Sequence, residues 1–214
     1  MSIIAPTVTA FSIEEYREQM NLVQSFAKRI HIDLMDGVFA PTTSPALTKL
    51  WRPENKDIIV DLHVMYEHPQ EHLEALCALR PNLVIFHREA DVDHAAFAEA
   101  LRDNGIKAGI ALLQKTEMSA AEDLLQFFEH LLIFSGNLGY HGGSTTDLTL
   151  LKKATRALEL KPELELGWDG GINDQVACDL ARGGIQVLNT GGFIHKAFDP
   201  RDAFEKLQAL IDSL

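Results

Sequence analysis

A histidine and an aspartate two residues apart, His31 and Asp33, interrupt an otherwise apolar run, Ile30-His31-Ile32-Asp33-Leu34. In an extended strand, residues two apart share a face. Both polar groups therefore point one way, while Ile32 and Leu34 pack on the other side. Buried side by side and unpaired, an imidazole and a carboxylate are costly; a shared metal ion satisfies both. Two other apolar runs end in the same kind of residue, His63 within Asp61-Leu62-His63-Val64-Met65 and Asp169 within Trp168-Asp169-Gly170-Gly171. Two imidazoles and two carboxylates suit Zn, Fe, Mn or Co better than Ca or Mg. The spacing alone serves equally well a structural network of ion pairs and hydrogen bonds.

Glycine pairs form a second pattern. Gly142-Gly143, Gly170-Gly171 and Gly191-Gly192 each follow an apolar run in the last third of the chain, and Gly139 precedes the first pair. Such loops let backbone N–H groups approach an anion closely. A single Gly-Gly is an ordinary turn; three in neighbouring loops point to a phosphate-binding cup.

The elements that must position these residues alternate along the chain. Short β-branched runs at residues 3–8, 29–34, 58–64, 83–87, 107–112, 130–134, 164–168 and 186–189 read as strands. Amphipathic runs at 13–28, 69–79, 94–104, 119–128, 147–158, 174–182 and 200–211 read as helices, with a short helix expected within 43–52. Asn173 is expected to cap the helix after it, and Asp199-Pro200 reads as a capping acid before a first-turn proline. Eight β–α repeats predict a closed (β/α)8 TIM barrel, one domain over residues 1–214. A doubly wound open sheet shares the repeat but usually carries a glycine-rich first loop; here that loop is Thr9-Ala10-Phe11-Ser12. In a βα barrel the strand C-termini carry function, and the chemistry-bearing residues above all lie there.

Composition sets the outer bounds. A net charge of −12 argues against nucleic acid or an anionic membrane as partner. It leaves a small phosphorylated sugar open, because phosphate sites are built locally. Cys77 and Cys178 lie among apolar neighbours and are expected to be reduced core residues. The opening MSIIAPTVTAF lacks a basic leader and a sustained apolar stretch, so the cytoplasm is the expected compartment. A homo-oligomer is expected.

Several segments, in order, resemble the ribulose-phosphate 3-epimerase family. Ile4-Ala5-Pro6-Thr7 resembles I-A-P-S. HIDLMDGVFAPT, residues 31–42, resembles H-x-D-x-M-D-G-x-F-V-P-N. DLHVM at 61–65, FHREA at 86–90 and WDGGI at 168–172 resemble D-V-H-L-M, F-H-x-E-A and V-D-G-G-I. The resemblance implies a (β/α)8 barrel of the ribulose-phosphate-binding type. It implies one divalent metal ion held by His31, Asp33, His63 and Asp169, with Asp33 and Asp169 also the catalytic acid/base pair. The implied reaction inverts C3 of a ketose phosphate, ribulose 5-phosphate and xylulose 5-phosphate being the default pair. Thr7, Gly139, Gly142, Gly143, Gly170, Gly171, Gly191 and Gly192 would face the substrate.

The departures concentrate in that substrate-facing shell. The family's S-I-L-S is here Thr7-Val8-Thr9, one residue shorter. The asparagine of F-V-P-N is Thr42, that of A-L-N-P is lost in Ala111-Leu112-Leu113-Gln114, and the sixth-strand methionine is Phe134. The loop N-P-G-F-G-G-Q becomes Asn137-Leu138-Gly139-Tyr140-His141-Gly142-Gly143-Ser144, and G-S becomes Gly191-Gly192. A six-carbon ketose phosphate, or a non-catalytic phosphate-binding paralogue, is therefore the alternative. The Asp-x-Lys-x-x-Asp motif of orotidine-phosphate decarboxylase relatives is absent, Met35 and Val38 standing in its place. His87 reads equally as pocket lining or as a packed mouth residue; His68, His72 and His94 read as solvated. Asp36 reads as fixing the loop at Gly37. His141 and His195 read either as phosphate contacts or as surface.

Overall fold

The computed structural model describes residues 2–140 and 142–214; the sequence reading of His141 and of the first residue, Met1, falls outside them. Among the described residues, eight parallel strands close on themselves in chain order: β1 (Ile3–Thr9), β2 (Arg29–Met35), β3 (Ile59–Met65), β4 (Leu83–His87), β5 (Lys107–Leu112), β6 (His130–Phe134), β7 (Glu165–Asp169) and β8 (Val187–Thr190). β1 pairs with β8 through Ile4↔Leu188 and Ala5↔Asn189, which shuts the sheet into a barrel. This is the TIM-barrel architecture the β–α alternation predicts. Strands in such a barrel are covered on both faces, which is why their sequences read as near-continuous apolar runs. β2 is buried along its whole length.

The outward faces of the strands, including Ile32, Leu34, Leu62, Val64, Leu131 and Ile133, pack under the surrounding helices in one continuous core. Those helices are α1 (Ile13–Val23), α2 (Leu73–Ala78), α3 (His94–Asp103), α4 (Leu151–Leu160), α5 (Ala177–Arg182), α6 (Gly192–His195) and α7 (Pro200–Asp212). The inward faces form storeys. At the bottom, buried Arg29 bonds Asp61 through Nε at 2.5 Å and Glu165 through both terminal nitrogens at 2.8 Å. His130 Nδ1 joins Glu165 at 2.8 Å. Above them sits a small apolar cluster of Leu83, Ile85, Ala111 and Leu132. The top storey is polar again and holds the site described below.

Local capping signals account for the starts of α1, α3 and α7. Ser12 Oγ accepts from Glu15 N at 3.1 Å and starts α1. Asp199 accepts from Asp202 N at 3.1 Å, with Pro200 in the first turn of α7. Six elements depart from the sequence reading, two of them, α2 and α4, because 3₁₀ segments at Pro69–His72 and Leu148–Leu150 delay their starts to residues 73 and 151. α1 stops at Val23 rather than residue 28, where Ser25 Oγ donates to Leu22 O at 2.7 Å and competes with the helix for its carbonyl. Asn173 accepts from Gln175 N at 2.9 Å in a turn, so α5 begins only at Ala177. The run at 119–128 forms two 3₁₀ segments, Met118–Ala120 and Glu122–Phe127, instead of an α-helix. A 3₁₀ turn rises about 2.0 Å per residue against 1.5 Å, so this short connection reaches back from the top of β5 to the bottom of β6. The helix expected within 43–52 is a single 3₁₀ turn, Leu47–Lys49.

Two further expectations change. His94 is buried, not solvated; its ring lies against Phe86 at 5.7 Å, and its Nε2 is 3.1 Å from His87 O. Cys77 and Cys178 are free thiols but only half-buried. Asp36 does fix its loop: Oδ1 accepts from Val38 N and Phe39 N at 2.8 Å, and Oδ2 from Glu67 N at 2.7 Å.

Candidate active site and metal centre

β2 and β3 run in register with Asp33 beside His63, and β1 adds Thr9 beside Asp33. Inward alternation on β2 raises His31 and then Asp33 into the top of the barrel, and β7 delivers Asp169 at its last residue. The result is a group of four, His31, Asp33, His63 and Asp169, with one ligand atom of each lying within 4.8 Å of all the others. His63 Nδ1 is 2.9 Å from Asp33 Oδ1 and 3.5 Å from Asp169 Oδ2. His31 Nε2 is 3.4 Å from Asp33 Oδ1 and 3.8 Å from Asp169 Oδ2.

The electrostatics of this group are those of a cation site. Burial would raise the Asp33 carboxyl, but the imidazoles of His31 and His63 outweigh it and hold the group well below the usual carboxylate range. Burial would lower His63; its contacts with Asp169 and Asp33 prevail and lift it to about 9. Two carboxylates here thus demand positive charge. His31 carries the complementary sign of an ion site: it is fully buried, and neither ring nitrogen has a hydrogen-bond partner among the described residues. Unsatisfied buried nitrogens are rare without a role. The donor set and these orphaned atoms fit a divalent transition metal.

Behind the group stands His87, which sequence spacing left open. Its Nε2 lies 2.9 Å from His63 Nε2, and its Nδ1 faces Glu89 Oε2 at 3.4 Å. Burial pushes His87 down to about 4, so it is a neutral ring able to accept from His63 Nε2–H. Burial would raise Glu89, but His87 and Thr116 hold it at about 2. Thr116 Oγ1 donates to Glu89 Oε1, which also accepts from Leu113 N at 3.1 Å. Thr9 Oγ1 donates to Asp33 Oδ2 at 2.6 Å. The partner of a ring nitrogen on the neighbouring strand carries no mark in sequence spacing.

A cleft of about 230 Å³ opens over Asp33 and Asp169. Its walls include every glycine singled out above, Gly139, Gly142, Gly143, Gly170, Gly171, Gly191 and Gly192, together with Thr7. Two of these glycines show why the loops need them. A Cβ on Gly171, at φ +75°, would lie 2.3 Å from Thr146 N, and one on Gly191 would lie 2.3 Å from Thr7 Oγ1. Met35, Met65 and Phe134 supply an apolar wall near the two aspartates. Lys196 and Asn189 also line the cleft and went unremarked in the sequence. His195 Nε2 lies 2.7 Å from Thr7 O, tying α6 to β1.

The comparisons with known proteins agree with this picture. Residues 3–195 match the model of the Ribulose-phosphate 3 epimerase family. The chain is 27% identical to ribulose-phosphate 3-epimerase of Helicobacter pylori strain 26695, the match covering 99% of each chain. It is 29% identical to ribulose-phosphate 3-epimerase of Mycobacterium leprae, over 96% of this chain and 93% of that one. Among solved structures, a 3-hexulose-6-phosphate synthase superposes with a TM-score of 0.74 at 18% identity, covering 98% of this chain and 99% of the other. At that identity the superposition speaks to the fold alone.

Proposed function

The chain belongs to the ribulose-phosphate 3-epimerase family, and from that premise we propose that it inverts C3 of a ketose phosphate by proton transfer between Asp33 and Asp169. Ribulose 5-phosphate and xylulose 5-phosphate are the substrate pair, and one barrel domain over residues 1–214 carries the activity. The observation that carries this reading is the convergence of two carboxylates from β2 and β7 with two imidazoles under one cleft.

His31, Asp33, His63 and Asp169 would hold one divalent ion, Zn, Fe, Mn or Co. Bound there, it would act as a Lewis acid toward the ketose oxygens and offset the negative charge that develops on them. The rest of the chemistry belongs to the chain. C3 lies next to the ketone, so its proton can be removed to give a planar enediolate. One aspartate takes that proton from one face; the other supplies a proton to the opposite face, and the roles exchange in the reverse direction. Thr9 Oγ1 donates to Asp33 Oδ2 at 2.6 Å, which steadies the Asp33 carboxylate beneath the cleft. Met35, Met65 and Phe134 keep water from the reacting carbon. The phosphate end is taken by backbone N–H groups around Gly142-Gly143, Gly171 and Gly191-Gly192, with Lys196 at the rim.

The test is Asp169→Asn in the metal-loaded enzyme. The shape is kept and the transferable proton is lost, so turnover of ribulose 5-phosphate falls by at least roughly 10²-fold. Deuterium exchange at C3 run alongside separates the half-reactions, since a variant lacking only the reprotonating group still exchanges. Near-wild-type epimerisation by Asp169→Asn refutes the two-aspartate scheme.

A further inference from the structure

Asn189 is the third residue of β8, and it is out of place among the packed side chains around it. The residue is 2% exposed, yet neither its Nδ2 nor its Oδ1 has a hydrogen-bond partner among the described residues. Alternation explains its direction. Leu188 joins the outer core under the helices, so Asn189 faces the barrel interior, where it lines the cleft. A buried amide with both ends idle is a rarity in folded proteins. An apolar side chain in this strand would remove the penalty of desolvating it.

Its position says what the amide is for. In register it stands beside Asp169 on β7 and Ala5 on β1. Two residues later the chain reaches Gly191, where the glycine-lined end of the cleft begins. Asn189 lines the same cleft as Asp33, Asp169 and the glycine loops, so a ligand stretching between them shares its walls with this amide. An amide offers a donor and an acceptor together. A hydroxyl answers both, because it accepts and donates at one oxygen; a methylene answers neither.

We infer that Asn189 binds the substrate hydroxyl lying between the reacting carbon and the phosphate, and so selects a polyhydroxylated ketose phosphate over its deoxy analogue. This inference rests on the epimerase reading for the orientation of the ligand. In a five-carbon ketose 5-phosphate the group read is the C4 hydroxyl. A site built to hydrogen-bond a hydroxyl rejects the analogue lacking it strongly, since its own buried groups are then left unpaired.

The experiment is a two-by-two comparison on the metal-loaded enzyme. Wild type and Asn189→Val are assayed by kcat/KM with ribulose 5-phosphate and with its 4-deoxy analogue. Valine suits a strand and has no polar end. The wild type is expected to prefer the natural substrate by roughly 10²-fold or more, and Asn189→Val to lose most of that preference by slowing the natural substrate alone. Asn189→Ser, which keeps a hydroxyl, is expected to recover part of it. If Asn189→Val slows both substrates equally, the residue is structural; if it changes neither, a trapped water answers the amide. Either result overturns the inference. Calorimetry with ribitol 5-phosphate and with inorganic phosphate separates this from the epimerase reading. Asn189→Val should weaken the polyol phosphate about tenfold and leave inorganic phosphate unchanged, whether or not the wild type turns over a ketose phosphate. Equal binding of ribitol 5-phosphate by both proteins overturns the inference independently.

Discussion

Replacing His87 by leucine isolates the support behind the ion group. His87 touches neither the cleft nor the four converging residues except through one contact, Nε2 to His63 Nε2 at 2.9 Å. If His63 binds an ion through Nδ1, its remaining proton must sit on Nε2, and His87 is the acceptor. Both rings are fully buried, so no water takes over when the acceptor is removed. Leucine is accommodated sterically, because the ring already lies against Phe39 at 4.9 Å and Phe134 at 5.7 Å. Loss of such an outer partner weakens metal binding about 10–100-fold, which corresponds to about 1.4–2.7 kcal/mol. Competition with a chromophoric chelator measures the dissociation constant directly, with no reliance on turnover. His87→Gln keeps a carbonyl acceptor and should stay within about threefold of wild type. A dissociation constant for His87→Leu within twofold of wild type, with the thermal midpoint unchanged, would refute the argument that His87 orients His63.

Two more perturbations test the glycine loops and the floor of the barrel. Gly171→Ala forces a Cβ to 2.3 Å from Thr146 N at φ +75°. That costs about 1–3 kcal/mol, or roughly 3–10 °C in thermal midpoint, and binding of inorganic phosphate should weaken with it. Gly143→Ala, where a Cβ meets nothing within 4 Å, should cost less; calorimetric scans that rank the two the other way sink the reading. The second prediction concerns acid. Burial would raise Glu165, but Arg29 and His130 hold it well below its ordinary 4.5, and burial lowers His130 from 6.5. An unfolded chain takes up both protons and the folded one resists, so stability is full above about pH 6.5 and declines as pH falls through 4.5. Glu165→Gln should lower the thermal midpoint at pH 7 and flatten its decline below pH 5. A parallel pH dependence in the two proteins would show that another group is responsible.

The sequence and the structure agree where local chemistry dominates. Three strands, Leu83–His87, Lys107–Leu112 and His130–Phe134, begin and end where their apolar runs do, and the other five shift by a residue or so. His31 and Asp33 were legible because period two leaves a polar pair on one face of a strand. Connections were harder: at 119–128 the helical periodicity is real, but the span to be covered selects the 3₁₀ form. His87 and Asn189 were harder still. His87 matters through a nitrogen on the strand beside it, 24 residues back in the chain, and Asn189 through partners it lacks. Neither relation has a spacing. A single polar residue alternating with Val187 on the inner face of β8 was the available signal.

The apolar cluster of Leu83, Ile85, Ala111 and Leu132 lies on β4, β5 and β6, between the polar groups at the two ends of the barrel. Below it, Arg29 and its partners plug the floor. The tube is therefore blind at one end, and hydrogen isotopes from bulk water can reach Asp33 and Asp169 only through the mouth. A substrate seated over the two aspartates blocks that same opening. In the proposed reaction, a proton lifted from C3 exchanges with solvent only past the ligand at the mouth, so the fold itself sets how fast label reaches the carbon in each visit.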